Sequence, residues 1–432
     1  KKFNPNITIM AKIRLYRILA ETEVPMQYIK RDMESLILEL SKEYSCILIS
    51  GPRQVGKTTM LEHIKPSNMQ VVTLDDLSER QLAKSDPEMF LSLHPTPLMI
   101  DEVQYAPELF SYIKIAIDKG AAPGSFWLTG SQAFKLMTLA QESLAGRVAL
   151  LHLSSLSQHE LYGKGSLQPF SVSADKLMER QTKSEKADIN QIYERIWKGS
   201  LPGYAGGKFS NRNVFYASYL QTYIDRDVRE VIEGIDSTRF ADFIRAAACR
   251  AGQMLNIHSI AVDVGVSDET AKRWLAVLEK SDIIFYLYPY SNNLLKRTIK
   301  TPKMYFFDTG LVSYLTRYSS AEILMNGAIN GAILENYVVS EIRKNYLNLG
   351  SECLLYYYRD KDDKEIDLCI EIDGKLHPIE IKRSSIPQKS MISSFDVIKK
   401  SSIPIGTGAV VCIKENVLAL DKETLMIPVW LI

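Results

Sequence analysis

The chain has 432 residues, 46% hydrophobic and 24% charged, which is globular composition with length for roughly two to four domains. Its 52 Lys and Arg almost cancel its 51 Asp and Glu, so no global field advertises a nucleic-acid or membrane partner; such a partner must be read by a local patch. No apolar run approaches the ~18 residues that span a bilayer, so no membrane contact is expected. The five cysteines (Cys46, Cys249, Cys353, Cys369, Cys412) show no C-x-x-C pair, so neither a zinc site nor a disulfide framework is expected and a reducing cytoplasm fits.

Residues 1–44 read as an N-terminal helical segment. Over residues 45–164 short apolar strands (Cys46–Ser50, Gln70–Leu74, Leu98–Ile100, Phe126–Thr129, Val148–Leu153) alternate with helical stretches. That alternation predicts an α/β core with a mostly parallel sheet covered on both faces. Gly51-Pro52-Arg53-Gln54-Val55-Gly56-Lys57-Thr58 follows the first strand and fits G-x-x-x-x-G-K-[ST], and Thr59 continues into a helix. With strand, loop and helix in register, backbone N–H groups and the positive helix end face a phosphate chain. Residues Gly51 to Thr59 are therefore expected to hold ATP, with Lys57 on the β- and γ-phosphates and Thr58 on Mg²⁺. No N-K-x-D guanine-reading motif is present, which favours ATP over GTP.

A second strand ends in Asp101-Glu102. Such pairs are common alone, but after a phosphate loop Asp101 is placed for the Mg²⁺ shell and Glu102 to orient or activate the attacking water. A third strand ends Leu128-Thr129-Gly130-Ser131-Gln132. Leu144-Ala145-Gly146-Arg147 precedes the last strand, where Arg147 reads either as an arginine finger or as an ordinary surface arginine.

Residues 165–236 read as linker and helical lid, with 165–190 an exposed insertion rich in Ser, Lys and Glu and helical periodicity from Gln191. Residues 237–318 contain a helix-turn-helix pattern over Asn256–Leu275. Ser267 is its expected N-cap, and Val262, Val266, Ala271, Trp274, Leu275 and Leu278 form the expected buried stripe. The strand Ile283–Tyr288 and the bases Lys296, Arg297, Lys300 and Lys303 would make a basic wing, consistent with DNA binding. Asp268 and Glu269, where a recognition helix meets bases, favour protein contacts instead.

Over residues 319–432, Glu335 lies on a helix (331–346) and Asp367 on a strand. The Asp373-Gly374 turn predicts a hairpin. Period-two alternation puts Glu380 and Lys382 on one face of the next strand, within reach of Asp367. Two carboxylates and a lysine suit Mg²⁺-assisted phosphodiester cleavage, and charged strand faces also carry such residues routinely.

Taken together, the motifs resemble the AAA-type branch of P-loop ATPases. More narrowly, they are similar to the prokaryotic predicted-ATPase family whose C-terminal half carries a domain of unknown function. That likeness rests on Gly51–Thr58, Asp101-Glu102-Val103-Gln104, Leu128–Ser131 and Leu144–Arg147. It continues in Gly199-Ser200-Leu201-Pro202, where the family has a second Gly for Ser200, in Tyr223-Ile224-Asp225-Arg226-Asp227 and in Lys303–Leu311. It implies that Ser131 or Gln132 contacts the γ-phosphate or the lytic water. The C-terminal pattern resembles the PD-(D/E)xK nuclease fold, with Glu335, Asp367, Glu380 and Lys382 matching its acids and lysine and implying a second metal site. The expectation is a Mg²⁺-dependent AAA-type ATPase whose nucleotide state controls a winged-helix and nuclease-like region acting on DNA. The alternatives are an ATP-regulated Mg²⁺-dependent DNA nuclease and a non-catalytic ATP-binding switch that docks a protein partner.

Overall fold

The computed structural model of the chain describes residues 28–131, 144–165, 168–224, 228, 229, 232, 235–291, 301–400 and 402–432. Gln132, Asp225–Asp227, Lys296, Arg297 and Lys300 therefore lie outside the described residues.

The N-terminal unit begins with α1 (Glu34–Leu40), β1 (Cys46–Ser50), α2 (Lys57–Ile64) and β2 (Gln70–Thr73). It continues with α3 (Leu77–Ser85), α4 (Pro87–Leu93), β3 (Leu98–Asp101), α5 (Leu109–Asp118), β4 (Phe126–Thr129) and β5 (Val148–His152). The strands form one sheet in the order β2-β3-β4-β1-β5, and every pairing is parallel. Parallel strands need both faces covered, and the apolar run of β1 meets that need by alternation. Cys46 and Leu48 pack with Phe90, Leu109, Phe110 and Ile113 on one side. Ile47 and Ile49 pack with Met33, Ile37, Met60 and Leu61 on the other. All five strands thus point their C-terminal ends at one edge, where the phosphate loop, Asp101 and Ser131 emerge.

Beyond β5, α6 (Gln158–Tyr162) leads to α7 (Ala174–Lys183), α8 (Ile189–Lys198) and α9 (Arg212–Tyr223). The exposed insertion expected over 165–190 is corrected here: α7 and the start of α8 lie within it, and Phe170, Val172 and Leu177 are buried in the largest core. Its Lys, Glu and Ser cover the outer face only. Asp188 accepts from Gln191 N at 2.8 Å while Gln191 accepts from Asp188 N at 2.9 Å, a capping box that starts α8.

Next come α10 (Ser237–Ala248), β6 (Gln253–Met254), α11 (Ile257–Val264), α12 (Asp268–Lys280), β7 (Ile284–Pro289) and β8 (Lys303–Phe306). As expected, Ser267 caps α12, its hydroxyl accepting from Thr270 N at 3.1 Å. Trp274 seats edge-on against Phe240 and Phe243 at 5.3 and 5.2 Å. Val262 is a correction: it is 63% exposed, on the outer face of α11.

The chain ends with α13 (Thr309–Leu315), α14 (Ala321–Asn326), α15 (Asn330–Asn348), β9 (Leu355–Arg359), β10 (Glu365–Ile372), β11 (Lys375–Lys382), β12 (Gly408–Cys412), β13 (Leu418–Ala419) and β14 (Thr424–Pro428). The nine later strands make one sheet, β13-β14-β12-β11-β10-β9-β7-β8-β6. Because β7 pairs with both β8 and β9, the helix-turn-helix unit and the C-terminal strands share a continuous sheet. They also share one hydrophobic core with α7, α8 and α9. The described residues between 168 and 432 thus form a single packed body on the nucleotide-binding unit.

Helix α15 fastens that body to the first. Gln158 N donates to Glu341 Oε2 at 2.6 Å, Lys344 Nζ to Leu156 O at 3.1 Å, and Ser154 N to Asn348 Oδ1 at 3.1 Å. Two of the segments that carry the resemblance meet in the second body: Asp308 accepts from Ser200 N and the Ser200 hydroxyl at 2.6 and 2.9 Å, and also from the Tyr216 hydroxyl at 2.9 Å. Ser200 supplies one bond that a glycine there could not.

Candidate functional site

The phosphate loop depends on its glycines. Gly51 has φ +145°, and a Cβ there would lie 2.1 Å from Leu153 O on the next strand, so only glycine fits. Gly56, at φ +89°, turns the chain into α2. Among the described residues the amides of Val55, Gly56 and Lys57 donate to no protein acceptor, as suits a loop that cradles an anion. Lys57 is buried, its Nζ donating to Gly51 O at 2.9 Å and Pro52 O at 2.8 Å. Burial pushes its ammonium down to about 8, opposed by the charges of Glu102 and Asp101.

Thr58 donates to Asp101 Oδ1 at 2.8 Å, and the Thr129 hydroxyl donates to the same oxygen. Glu102 takes φ +55°, a conformation that costs a non-glycine residue energy and is often found at functional sites. Its carboxylate accepts from Gln104 and from the Ser131 hydroxyl, the latter at 3.2 Å. The loop, Lys57, Thr58, Asp101, Glu102 and Ser131 therefore converge at one edge of the sheet. These residues fit a nucleotide with Mg²⁺: two oxygen donors meet at Thr58 and Asp101, beside a cation and unpaired amides.

Arg147 does not join them. Val148 pairs with Cys46 at the opposite end of the sheet, so about 20 Å of strand separates Arg147 from the loop of its own chain. Its guanidinium instead pairs with Asp118 at 2.6 Å. Of its two readings, Arg147 within one chain takes the second, a surface arginine in an exposed ion pair.

Several residues here had no sequence signal. Arg31 donates to Val55 O at 2.7 Å, to Ser154 O at 2.8 Å and to Glu160 at 2.9 Å, and Asn348 donates to Glu160 at 3.0 Å. A largely apolar pocket beside the loop is lined by Tyr28, Ile29, Val55, Leu156 and Pro202. Ser281 and Asp282, in the turn after α12, reach the loop from the second body. Ser281 lines a small cavity with Arg53, Gln54, Ser131 and Tyr219 of α9. Asp282 Oδ2 lies 3.5 Å from His152 Nε2 at the end of β5. Burial raises the Asp282 carboxyl, opposed by His152, Arg343 and Lys57. An acid 224 residues beyond Thr58 in sequence is not legible as a neighbour of the loop without the fold.

In the C-terminal sheet, Asp367 accepts from Ile381 N at 2.8 Å and Lys382 Nζ at 3.0 Å. Lys382 pairs with Glu380 at 2.5 Å, and Ser394 donates to Glu380 at 3.0 Å. A register shift between Ile366 and Cys369, of the kind that re-aims side chains, brackets Asp367. Burial pushes the Glu380 carboxyl up to about 8, with Asp367 adding to the shift.

Glu335 accepts from Lys303 at 2.9 Å and the Tyr305 hydroxyl at 2.7 Å; burial raises its carboxyl, Lys303 opposes this and the nearby Asp367 charge adds to it. Among the described residues no group of three acids, histidines or cysteines is close enough to hold a metal, so the expected Glu335, Asp367, Glu380 metal set is not assembled. Lys303 is corrected too: it is buried on β8, between Glu335 and Glu365 at 2.9 and 2.5 Å, and so is closed to DNA. Burial would lower its ammonium, but the surrounding acids outweigh that and raise it.

Comparison with known proteins agrees with the N-terminal geometry. Residues 43–162 match the model of the AAA domain family; residues 189–322 and 330–432 match two domains of unknown function, DUF8612 and DUF4143. An uncharacterized protein of Mycobacterium tuberculosis is 28% identical over 363 residues, covering 84% of this chain and 75% of that protein. One of Methanocaldococcus jannaschii is 25% identical over 342 residues, covering 72% and 68%. Among solved structures, the Walker-type ATPase Paby2304 of Pyrococcus abyssi aligns at 16% identity with a TM-score of 0.42, covering 67% of this chain and 97% of that one. Among the described residues no helix is long and apolar enough to cross a membrane.

Proposed function

We propose that this chain is a Mg²⁺-dependent ATPase whose nucleotide state is passed to the fused C-terminal body. An AAA-type ATPase-like domain is given by the family match over residues 43–162. The observation that carries the finer reading is the convergence of Lys57, Thr58, Asp101 and Glu102 at one sheet edge. When bound, Mg²⁺ supplies charge neutralisation at the phosphates, and Thr58 and Asp101 are the residues to hold it. Lys57 neutralises the phosphate chain, and the apolar pocket beside Val55 takes the base. Glu102, steadied by Gln104 and Ser131, orients a water and accepts its proton.

The route to the second body runs through contacts that nucleotide would meet directly. These are α9 and the Ser281–Asp282 turn over the loop, and Arg31, which touches both the loop carbonyl and Glu160. The test is to separate binding from turnover with Lys57→Ala and Glu102→Gln. ATP binding without turnover in the wild type would select the non-catalytic switch instead.

Asp367, Glu380 and Lys382 support a second reading, a phosphodiester-cleaving site of the PD-(D/E)xK kind acting on DNA. It ranks second because Lys382 spans both acids. Incubating plasmid and single-stranded DNA with Mg²⁺ or Mn²⁺ tests it. Cleavage lost in Lys382→Ala supports the reading, and cleavage retained there, or none by the wild type, removes it.

A further inference from the structure

A cavity outside the nucleotide site lies between the start of α9, the last turn of α10 and the turn after α13. It measures about 430 Å³, and arginines from all three elements line it: Arg212, Arg245 and Arg317. No acid lines it. We propose that this cleft binds the terminal phosphate monoester of a nucleotide or of a nucleic-acid strand.

Arg212 is the fixed element. It is 6% exposed, its guanidinium lies 4.2 Å over the Trp197 ring, and Nη2 donates to Gly310 O at 3.1 Å and Ser313 Oγ at 2.6 Å. Nε is taken by Trp197 O at 3.2 Å. Among the described residues Nη1 has no acceptor and is not sealed from solvent, so this edge of the planar fork is presented to the cleft. A buried guanidinium held flat on an indole loses little entropy on binding an anion, which suits it to phosphate recognition.

Arg317 is the second element, and it is held at a cost. Its φ is +62°, a region that glycine adopts freely and arginine does not. Thr316 closes α13, and a glycine at the next position would satisfy the turn equally well. The arginine is exposed, and among the described residues its side chain has no hydrogen bond or ion pair. Strain at an unpartnered cation, on the rim of a cavity already holding a fixed cation, is the mark of a residue kept for a ligand.

Arg245 pairs with Asp242 at 2.6 Å, but both side chains are about half exposed, and such a pair opens at little cost. A phosphate monoester, with nearly two charges, matches Arg212 and Arg317 more closely than a singly charged diester does. The cavity takes a nucleotide-sized group rather than a continuous strand, and Tyr314 and Tyr318 supply aromatic surface for it.

The cleft is distinct from the phosphate loop but mechanically joined to it. Helix α9 carries Arg212 and Asn213 at its start, and Tyr219, Thr222 and Tyr223, which line the cavity beside Arg53 and Gln54, at its end. About 16 Å of helix separates the two ends.

The test titrates the full chain with adenosine monophosphate and with a short DNA strand bearing either a 5′-phosphate or a 5′-hydroxyl. The wild type and Lys57→Ala are expected to bind the phosphorylated probes alike, because the phosphate loop is not involved. Arg317→Gly is expected to weaken binding at least about tenfold while its Tm stays equal or rises, since glycine relieves the left-handed backbone. Arg245→Gln is expected to weaken binding about threefold or more. Competition between the monophosphate and the strand assigns a free nucleotide as ligand, and a strand that binds when the monophosphate does not assigns a strand end. Equal binding by Arg317→Gly and the wild type, equal binding of the 5′-hydroxyl strand, or no binding of either phosphorylated probe overturns the proposal. Loss of ATP turnover in Lys57→Ala bears on the ATPase reading alone.

Discussion

Asp282 Oδ2 lies 3.5 Å from His152 Nε2, and this pair ties the turn behind α12 to the end of β5 beside the phosphate loop. His152 Nδ1 in turn meets the Ser50 hydroxyl at 3.3 Å, one residue before Gly51. A largely enclosed acid is thus directed at a loop built for phosphates. Its carboxyl is raised because burial disfavours the charge.

Negative charge at this place opposes a polyanion. Asp282→Asn is expected to tighten ATP binding about threefold or more at pH 8, with the gain shrinking as the pH falls and the wild-type acid takes up its proton. Binding curves at two pH values check this, and unchanged or weaker affinity in Asp282→Asn would remove the repulsive role.

Glu102→Gln keeps the shape of the side chain and its contact with Ser131 while removing the proton acceptor. ATP affinity should stay within about threefold of wild type while turnover falls by roughly 100-fold or more. A modest loss, below about tenfold, would move the water-orienting role to another residue.

Gly51 has no room for a side chain, since a Cβ would lie 2.1 Å from Leu153 O at φ +145°. Gly51→Ala is expected to cost about 3 kcal/mol or more and to abolish nucleotide binding, because the loop must move away from β5. Thermal unfolding with and without ATP reads both effects. A stable Gly51→Ala protein that still gains Tm with ATP would contradict the strand–loop contact.

Burial and Asp367 push the Glu380 carboxyl up to about 8 from 4.5. Since the folded value is the higher one, the neutral acid favours the folded state. That advantage is complete below about pH 4.5 and is lost as the pH rises to about 8. Glu380→Gln stays neutral, so its Tm should exceed that of wild type by an amount that grows between about pH 5 and 8 and then levels off. A difference that is constant across that range would show that the carboxylate is well accommodated by Lys382 and Ser394.

The nucleotide site was legible because its signals are local. Strand periodicity placed Cys46–Ser50 and Phe126–Thr129, and G-x-x-x-x-G-K-T names its own backbone conformation. Arg147 kept two readings in the sequence because a strand's direction in a parallel sheet decides which of its ends meets the loop, and only the fold puts Arg147 at the far end. Residues 165–190 were misread because α7 buries a narrow stripe, Leu177 with Phe170 and Val172 ahead of it, beneath a charged outer face. Lys303 and Asp282 were opaque for a common reason. Each acts through a partner that only the fold supplies, Glu335 and Glu365 for the first and His152 for the second.

The central claim, a Mg²⁺-dependent ATPase working through the Gly51–Thr58 loop, is tested most directly by steady-state phosphate release from ATP with and without Mg²⁺, in wild type and Lys57→Ala. The account predicts turnover by the wild type that needs Mg²⁺ and falls at least about 100-fold in Lys57→Ala. Equal turnover in the two proteins, or turnover indifferent to Mg²⁺, would contradict it.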